Sequence, residues 1–335
     1  MFDNCGIISA MKQTIVTYLQ KNQVISAVLL VLLLWFLLTI RDIAIIVFIS
    51  FILMASFHPI VEWLAKHKIP RIVSVFLVYI LVLGVLILLI FPLIPFFSQQ
   101  IQALVKVFPI YVQHSGQLLG LKIDANFIKS YTSSHIQAIG SNALFVTSKF
   151  FGSLLSVLST IVISFYLLMS HNSIKKDFLG LFPKQKRKHA EKTLELIEVK
   201  LGAWLRGQIT LSLTIGILAF IALTLLHIPF ALPLALLTGL FEIIPTIGPI
   251  LAAVPALIVG FSISPFTAIL VGGSYIIIQL LESNLIAPKI MESAVGLNPV
   301  IVIISVLIGA QLMGIIGALL SIPFVSFLII IIKNL

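Results

Sequence analysis

Residues Gly239 to Gly260 set the limits on what this chain can fold into. The stretch is almost wholly apolar, yet Pro245, Gly248, Pro249 and Pro255 divide it into pieces shorter than the roughly 20 residues that a straight membrane helix needs. Proline removes a backbone donor and clashes with the preceding turn, so the carbonyls freed around Ile243 to Ile247 must find partners in protein, water or a passing solute. Glu242 stands at the lip of this break. An ionisable side chain inside an apolar run costs about 3 kcal/mol to insert, and such groups face a bundle interior or an aqueous cavity. A broken helix with a charge at the break points to a transport site. The alternative is a pair of kinked, tightly packed helices from which Glu242 snorkels to the interface.

Composition fixes the class. Of 335 residues, 60% are hydrophobic and 10% charged, against about 45–50% and about 25% in soluble globular chains. The expected fold is an all-α polytopic membrane protein of about eight membrane segments, including two Pro/Gly-broken hairpins and additional amphipathic interfacial helices. The net charge of +10, from 21 Lys and Arg against 11 Asp and Glu, reads as a topological signal and not as nucleic-acid binding. Cys5 is the single cysteine, which excludes an intramolecular disulfide framework and any multi-cysteine metal site.

Taken in order, Met1 to Gln23 is a polar N-terminal segment, expected on the cytoplasmic side, and residues 24–97 hold three spans. Val24 to Ile40 and Ile43 to Phe57 form a hairpin, and the return carries His58, Glu62, Lys66, His67, Lys68 and Arg71, a cationic cluster typical of cytoplasmic loops. The third span, Ile72 to Phe97, ends at Pro92 and Pro95. Residues 98–141 turn amphipathic, with Ile101, Leu104, Val105 and Phe108 at helical spacing, and are expected at the far interface. In 142–206 a fourth span, from about Phe150 to Met169, leads into a connection holding Lys175, Lys176, Lys184, Lys186, Arg187, Lys188 and Lys192. The positive-inside rule places that connection in the cytoplasm, and topology explains the cluster without a separate anionic-lipid role, which stays open. An amphipathic helix from Ala190 to Arg206 then runs straight into a fifth span.

Residues 207–335 hold that span and two broken hairpins. The first has arms Phe230 to Ile244 and Ile250 to Ile263. An eighth segment, Pro265 to Leu281, leads to a polar linker. The final run, Asn298 to Ile332, is too long for one untilted span and is interrupted by Gly309, Gln311, Gly314, Gly317 and Pro323, which predicts the second hairpin. Both termini are then cytoplasmic.

No constellation for enzyme chemistry is visible. The histidines fall in loops or at span ends, and Asp3, Asp42, Asp124 and Asp177 lie outside the apolar runs. There is no HExxH pattern and no phosphate-binding loop. No catalytic residue, metal or cofactor is therefore expected, and passive or ion-coupled movement remains. Candidate transport and coupling residues are Glu242, Pro245, Gly248, Pro249, Gln279, Glu282 and Gln311, with Lys289 as a possible counter-charge. Hinge and packing candidates are Pro255, Gly296, Pro299, Gly309, Gly314, Gly317 and Pro323.

Glu242-Ile-Ile-Pro-Thr-Ile-Gly-Pro249, Val254-Pro-Ala256, Pro288-Lys-Ile-Met291, Val295-Gly-Leu-Asn-Pro299, Gly314-Ile-Ile-Gly317 and Ile322-Pro323 occur in this order, after Leu205-Arg-Gly-Gln208. Together they resemble the autoinducer-2 exporter family of PerM-like and TqsA-like permeases over nearly the whole chain. Glu292 and Ala310 depart from it, standing where glycine is usual. The resemblance implies a multi-pass protein of the bacterial inner membrane, homo-oligomeric, exporting a small hydrophilic solute of the autoinducer-2 kind. A cation/proton antiporter using H+ or Na+, and a non-transporting membrane scaffold, are the alternatives.

Overall fold

The computed structural model describes residues 39–91, 143–244, 247–291 and 298–334. The expected first span, Val24 to Ile40, lies almost wholly outside these residues, as do the amphipathic region 98–141, Pro245, Glu292 and Gly296. By its internal contacts the chain divides into Met1–Ser50 and Phe51–Leu335. The described part of the first unit is the opening of one helix, where the Ser50 hydroxyl donates to the Ile46 carbonyl.

The described residues are helical almost throughout: α1 (Arg41–Lys66), α2 (Arg71–Ile90), α3 (Ala143–Met169), α4 (His171–Gly180), α5 (Lys184–Leu225), α6 (Ala231–Phe241), α7 (Ile247–Ile263), α8 (Pro265–Leu281), a π-helical turn (Glu282–Ile286), α9 (Ala287–Met291) and α10 (Pro299–Lys333). Among the described residues, four stretches are long and apolar enough to cross a membrane, Arg41–Lys66, Lys184–Leu225, Pro265–Met291 and Val300–Lys333; α3 and α4 pass the same test only when taken together across the 79° bend between them. The chain is an all-α polytopic membrane protein.

Local sequence explains where the helices start and stop. Ser264 accepts from the Thr267 amide ahead of Pro265, and Asn298 accepts from the Val300 amide ahead of Pro299. In both cases a side-chain oxygen satisfies an orphan helix donor and proline occupies the first helical position, which needs none. The α5 helix has no internal proline over 42 residues, so the amphipathic segment and the fifth span form one rod of about 63 Å, twice the roughly 30 Å hydrocarbon core. The basic connection before it is helical as well: α4 and the first turns of α5 carry all seven cations.

Helices in lipid gain little from hiding apolar surface, because the tails are as apolar as leucine; close backbone approach through small residues does the work. Here α5 and α6 cross where a Cβ on Gly239 would stand 2.9 Å from the Ser212 carbonyl oxygen and 3.5 Å from the Gly216 Cα. The α7 and α8 helices meet at Gly260, where a Cβ would lie 3.1 Å from the Ala268 Cα. Leu223, Leu234, Ala252, Ala256, Val259, Val271 and Tyr275 fill the space among α5, α6, α7 and α8. A second cluster, Met54, Phe57, Val61, Val75, Val78, Tyr79 and Leu168, joins α1, α2 and α3.

Both expected hairpins are present. Of the first, α6 has 11 residues and α7 has 17, or about 16 and 25 Å, each short of the hydrocarbon core. The second is α10. It breaks at Met313 (φ −142°, ψ 15°) and Gly314 (φ 61°, ψ −141°), a left-handed backbone that glycine adopts without cost. A Cβ on Gly309 would collide with the Gly317 carbonyl, and one on Gly317 with the Gly309 carbonyl. Residues eight apart in a continuous helix lie about 12 Å apart, so this contact shows the chain folding back on itself.

Candidate functional site

The centre of the site is where α6 ends. Thr238 and Glu242 lie four residues apart and share a face. Both are almost fully buried, Glu242 at 1% exposure. The Gln208 side-chain amide, from the middle of α5, donates to the Glu242 carbonyl at 2.7 Å, taking up one of the carbonyls that the helix break orphans. On the other side of the break, Gly248 and Pro249 are buried at the start of α7. Gly248 lies so close to the Phe241 carbonyl that a Cβ there would collide with it. The end of α6 and the start of α7 therefore abut.

Facing this end is a second polar edge, from α8. Tyr275 and Gln279 are four residues apart, and Glu282 follows as the first residue of the π turn. Such turns insert a residue into the helical ladder and are frequent at functional positions. The Tyr275 hydroxyl and Thr238 Oγ1 are 2.8 Å apart, while Thr238 Oγ1 lies 2.9 Å from the Leu234 carbonyl. That carbonyl can only accept, so the single Thr238 proton goes to it and Tyr275 donates to Thr238. One turn on, Gln279 Nε2 donates to Glu282 Oε2 at 3.2 Å.

Glu242 and Glu282, the latter 8% exposed, are both buried here and close enough for their charges to act on each other. The second oxygen of Glu242, Oε2, is buried with no hydrogen-bond partner among the described residues. Neither acid has a cation within ion-pair distance among those residues, and Lys289 is exposed on α9. The pair is thus two acids facing each other in an apolar bundle, with one oxygen left over.

The structure brings Glu242, Gly248, Pro249, Gln279 and Glu282 together and adds Gln208, Thr238 and Tyr275. Gln311 is exposed close to the tip of the second hairpin, apart from this cluster. Of the hinge candidates, Pro255 lies inside α7, Pro299 opens α10, Gly309 and Gly317 clasp the second hairpin, Gly314 makes its turn, and Pro323 is buried in its returning arm. A groove of about 430 Å³ runs beside α2, α5 and α6, lined by residues such as Leu81, Val85, Ile217, Phe220, Leu236 and Ile243. Neither glutamate reaches it, and its walls suit hydrocarbon better than a hydrophilic solute.

At one end of the bundle the two basic segments meet. His58 and His171 stack with ring centroids 4.2 Å apart, Arg71 donates to the Leu168 carbonyl at 3.0 Å, and His171 Nε2 lies 3.1 Å from Glu198. Lys175 reaches Glu195 at 2.7 Å and Glu191 at 3.2 Å. Residues of both positive clusters thus lie at one end of the described bundle.

The family model of the AI-2E family transporters covers residues 24–335. The chain belongs to the AI-2E transporter family. Two proteins of Bacillus subtilis, YrrI and YueF, assigned to transport by name only, are 27% and 28% identical to it. They align over 84% and 82% of this chain and 82% and 79% of their own. The AI-2 transport protein TqsA of Escherichia coli is 22% identical over 79% of this chain and 78% of its own. Membership in the AI-2E family carries a transport role for a membrane-embedded chain.

Proposed function

We propose that this chain is a secondary transporter that exports a small hydrophilic solute across the bacterial inner membrane, driven by a proton or Na+ exchanged at Glu242 and Glu282. The observation that carries this reading is the acid pair. Two buried carboxyl groups with no counter-ion among the described residues form a place where a proton and a metal cation are alternatives: a cation offsets the charge of both, a proton neutralises one. The pair also sits where α6 stops and α7 starts. A change of occupancy there acts directly on the junction between two short helices, the kind of element that rocks in alternating access.

The solute is the less constrained half. TqsA carries AI-2 in its name, and a molecule of that kind is the solute to try first. In the present conformation the acid pair is closed off, so a solute passage would open when the hairpins separate. Homo-oligomeric assembly and cytoplasmic termini complete the proposal. A second reading, cation/proton antiport with no organic solute, is favoured by the same pair.

Purified protein in sealed proteoliposomes separates them. AI-2 efflux that rises with an imposed pH or Na+ gradient, and falls when Glu282→Gln is substituted, supports coupled export. Gradient-driven Na+ movement without AI-2 movement supports the antiporter, and absence of both would return the chain to a scaffold.

A further inference from the structure

Topological signalling requires only that α4 and the start of α5 be basic, and their geometry goes further. After α3 the chain turns by 79° into α4, the turn a helix needs to leave a membrane span and lie along the surface. One edge of α4 is then tied to α5 by Lys175 with Glu195 and Glu191, and by His171 with Glu198. Arg187 closes the link by donating to the Phe182 and Gly180 carbonyls at 3.0 and 3.3 Å.

These ties fix the roll of α4. Ile174, Phe178 and Leu181, spaced by four and three residues, form an apolar stripe along one edge, and it remains uncovered: 41%, 43% and 80% exposed. A soluble helix would turn such a stripe into a core. Around it Lys176, Lys184, Lys186 and Lys188 are exposed and have no carboxylate partner among the described residues, since Lys175 occupies Glu191 and Glu195. Asp177 is the acidic side chain on α4 itself.

We propose that α4 and the first turns of α5 form a docking surface for anionic phospholipid. Ile174, Phe178 and Leu181 seat in the acyl boundary, and Lys176, Lys184, Lys186 and Lys188 hold the phosphate headgroups. Charge and apolar stripe are complementary to such a leaflet at once, which a soluble acidic partner would not require. Because α4 is locked to α5, headgroup binding here sets the height and tilt of the long α5 rod.

The test uses a spin label. In a Cys5→Ala background, Leu181→Cys is labelled and the protein placed in nanodiscs of phosphatidylglycerol with phosphatidylcholine, or of phosphatidylcholine alone. With anionic lipid the label is open to oxygen and closed to an aqueous nickel chelate. Removing that lipid, or converting the four lysines to glutamine, raises nickel access by more than about fivefold, the weight of one lysine beside an anionic leaflet. Leu181 is exposed, so the label does not disturb the core, and a label at Phe178 provides the replicate. Nickel access that is high in every lipid overturns the proposal, as does a label equally protected with and without anionic lipid.

Discussion

Two groups of ionisable side chains in this chain solve opposite problems. Where α4 meets α5, every buried or half-buried acid faces a base: Glu198 with His171, Glu191 and Glu195 with Lys175. Where α6 meets α8, an acid faces an acid, and Glu242 Oε2 has no hydrogen-bond partner among the described residues. The first arrangement holds two helices at a fixed angle. The second costs free energy as it stands, and gains only when a proton or cation arrives. Matched charge marks where this fold is fastened, and mismatched charge marks the proposed coupling site.

The largest expected effect follows from removing the mismatch. Glu242→Gln keeps shape and hydrogen-bonding capacity while abolishing exchangeable charge, so gradient-driven flux is lost altogether while the protein still folds. An unchanged flux would place the coupling group elsewhere. Next come the tight helix approaches. Gly248→Val drives a side chain into the Phe241 carbonyl, and Gly309→Val into that of Gly317, each costing about 1–3 kcal/mol by overpacking. Thermal melting in detergent reads the loss, and Gly273→Val, with nothing within 4 Å of its Cβ, is the control that should melt as wild type. Tyr275→Phe removes one buried hydrogen bond and leaves the Thr238 donor satisfied by Leu234, for a loss of about 1 kcal/mol with transport retained. A larger transport defect than stability defect would draw Tyr275 into the coupling site.

The smallest effect sharpens the fastened side. The hydrogen bond to Glu198 raises the His171 pKa above 6.5, against a lesser opposing effect of burial. For Lys175, burial lowers and the bonds to Glu195 and Glu191 raise, and the bonds prevail. A histidine whose folded pKa is raised contributes stability that is complete below its unfolded value and fades as pH rises through the folded one. Amide exchange in α4, corrected for its intrinsic pH dependence, should therefore be slowest below pH 6.5 and quicken above it. His171→Gln should flatten that profile.

The hairpins were legible because proline and glycine act locally: Gly248 and Pro249 fall in the first turn of α7, where proline is tolerated, and Gly314 permits the left-handed turn. Glu242 stood out because a charge in an apolar run has few explanations. Its closeness to Glu282 was not readable, since it depends on the ends of α6 and α8 coming together from positions forty apart in sequence. Gln208, Thr238 and Tyr275 were missed for a related reason. A lone amide or hydroxyl in an apolar helix is unremarkable until its partner on another helix is known, although the four-residue steps from Thr238 to Glu242 and from Tyr275 to Gln279 were available as a signal. Lys289 was a plausible counter-charge by sequence distance, but the π turn and α9 leave it on the surface.

The central claim is that the acid pair couples transport to a gradient. It is tested most directly by solute and cation flux in sealed proteoliposomes, wild type beside Glu242→Gln, with and without a pH or Na+ gradient. Wild-type flux that follows the gradient, and a variant that folds but does not respond to it, is the result expected. A Glu242→Gln protein that still couples flux to the gradient would contradict the account.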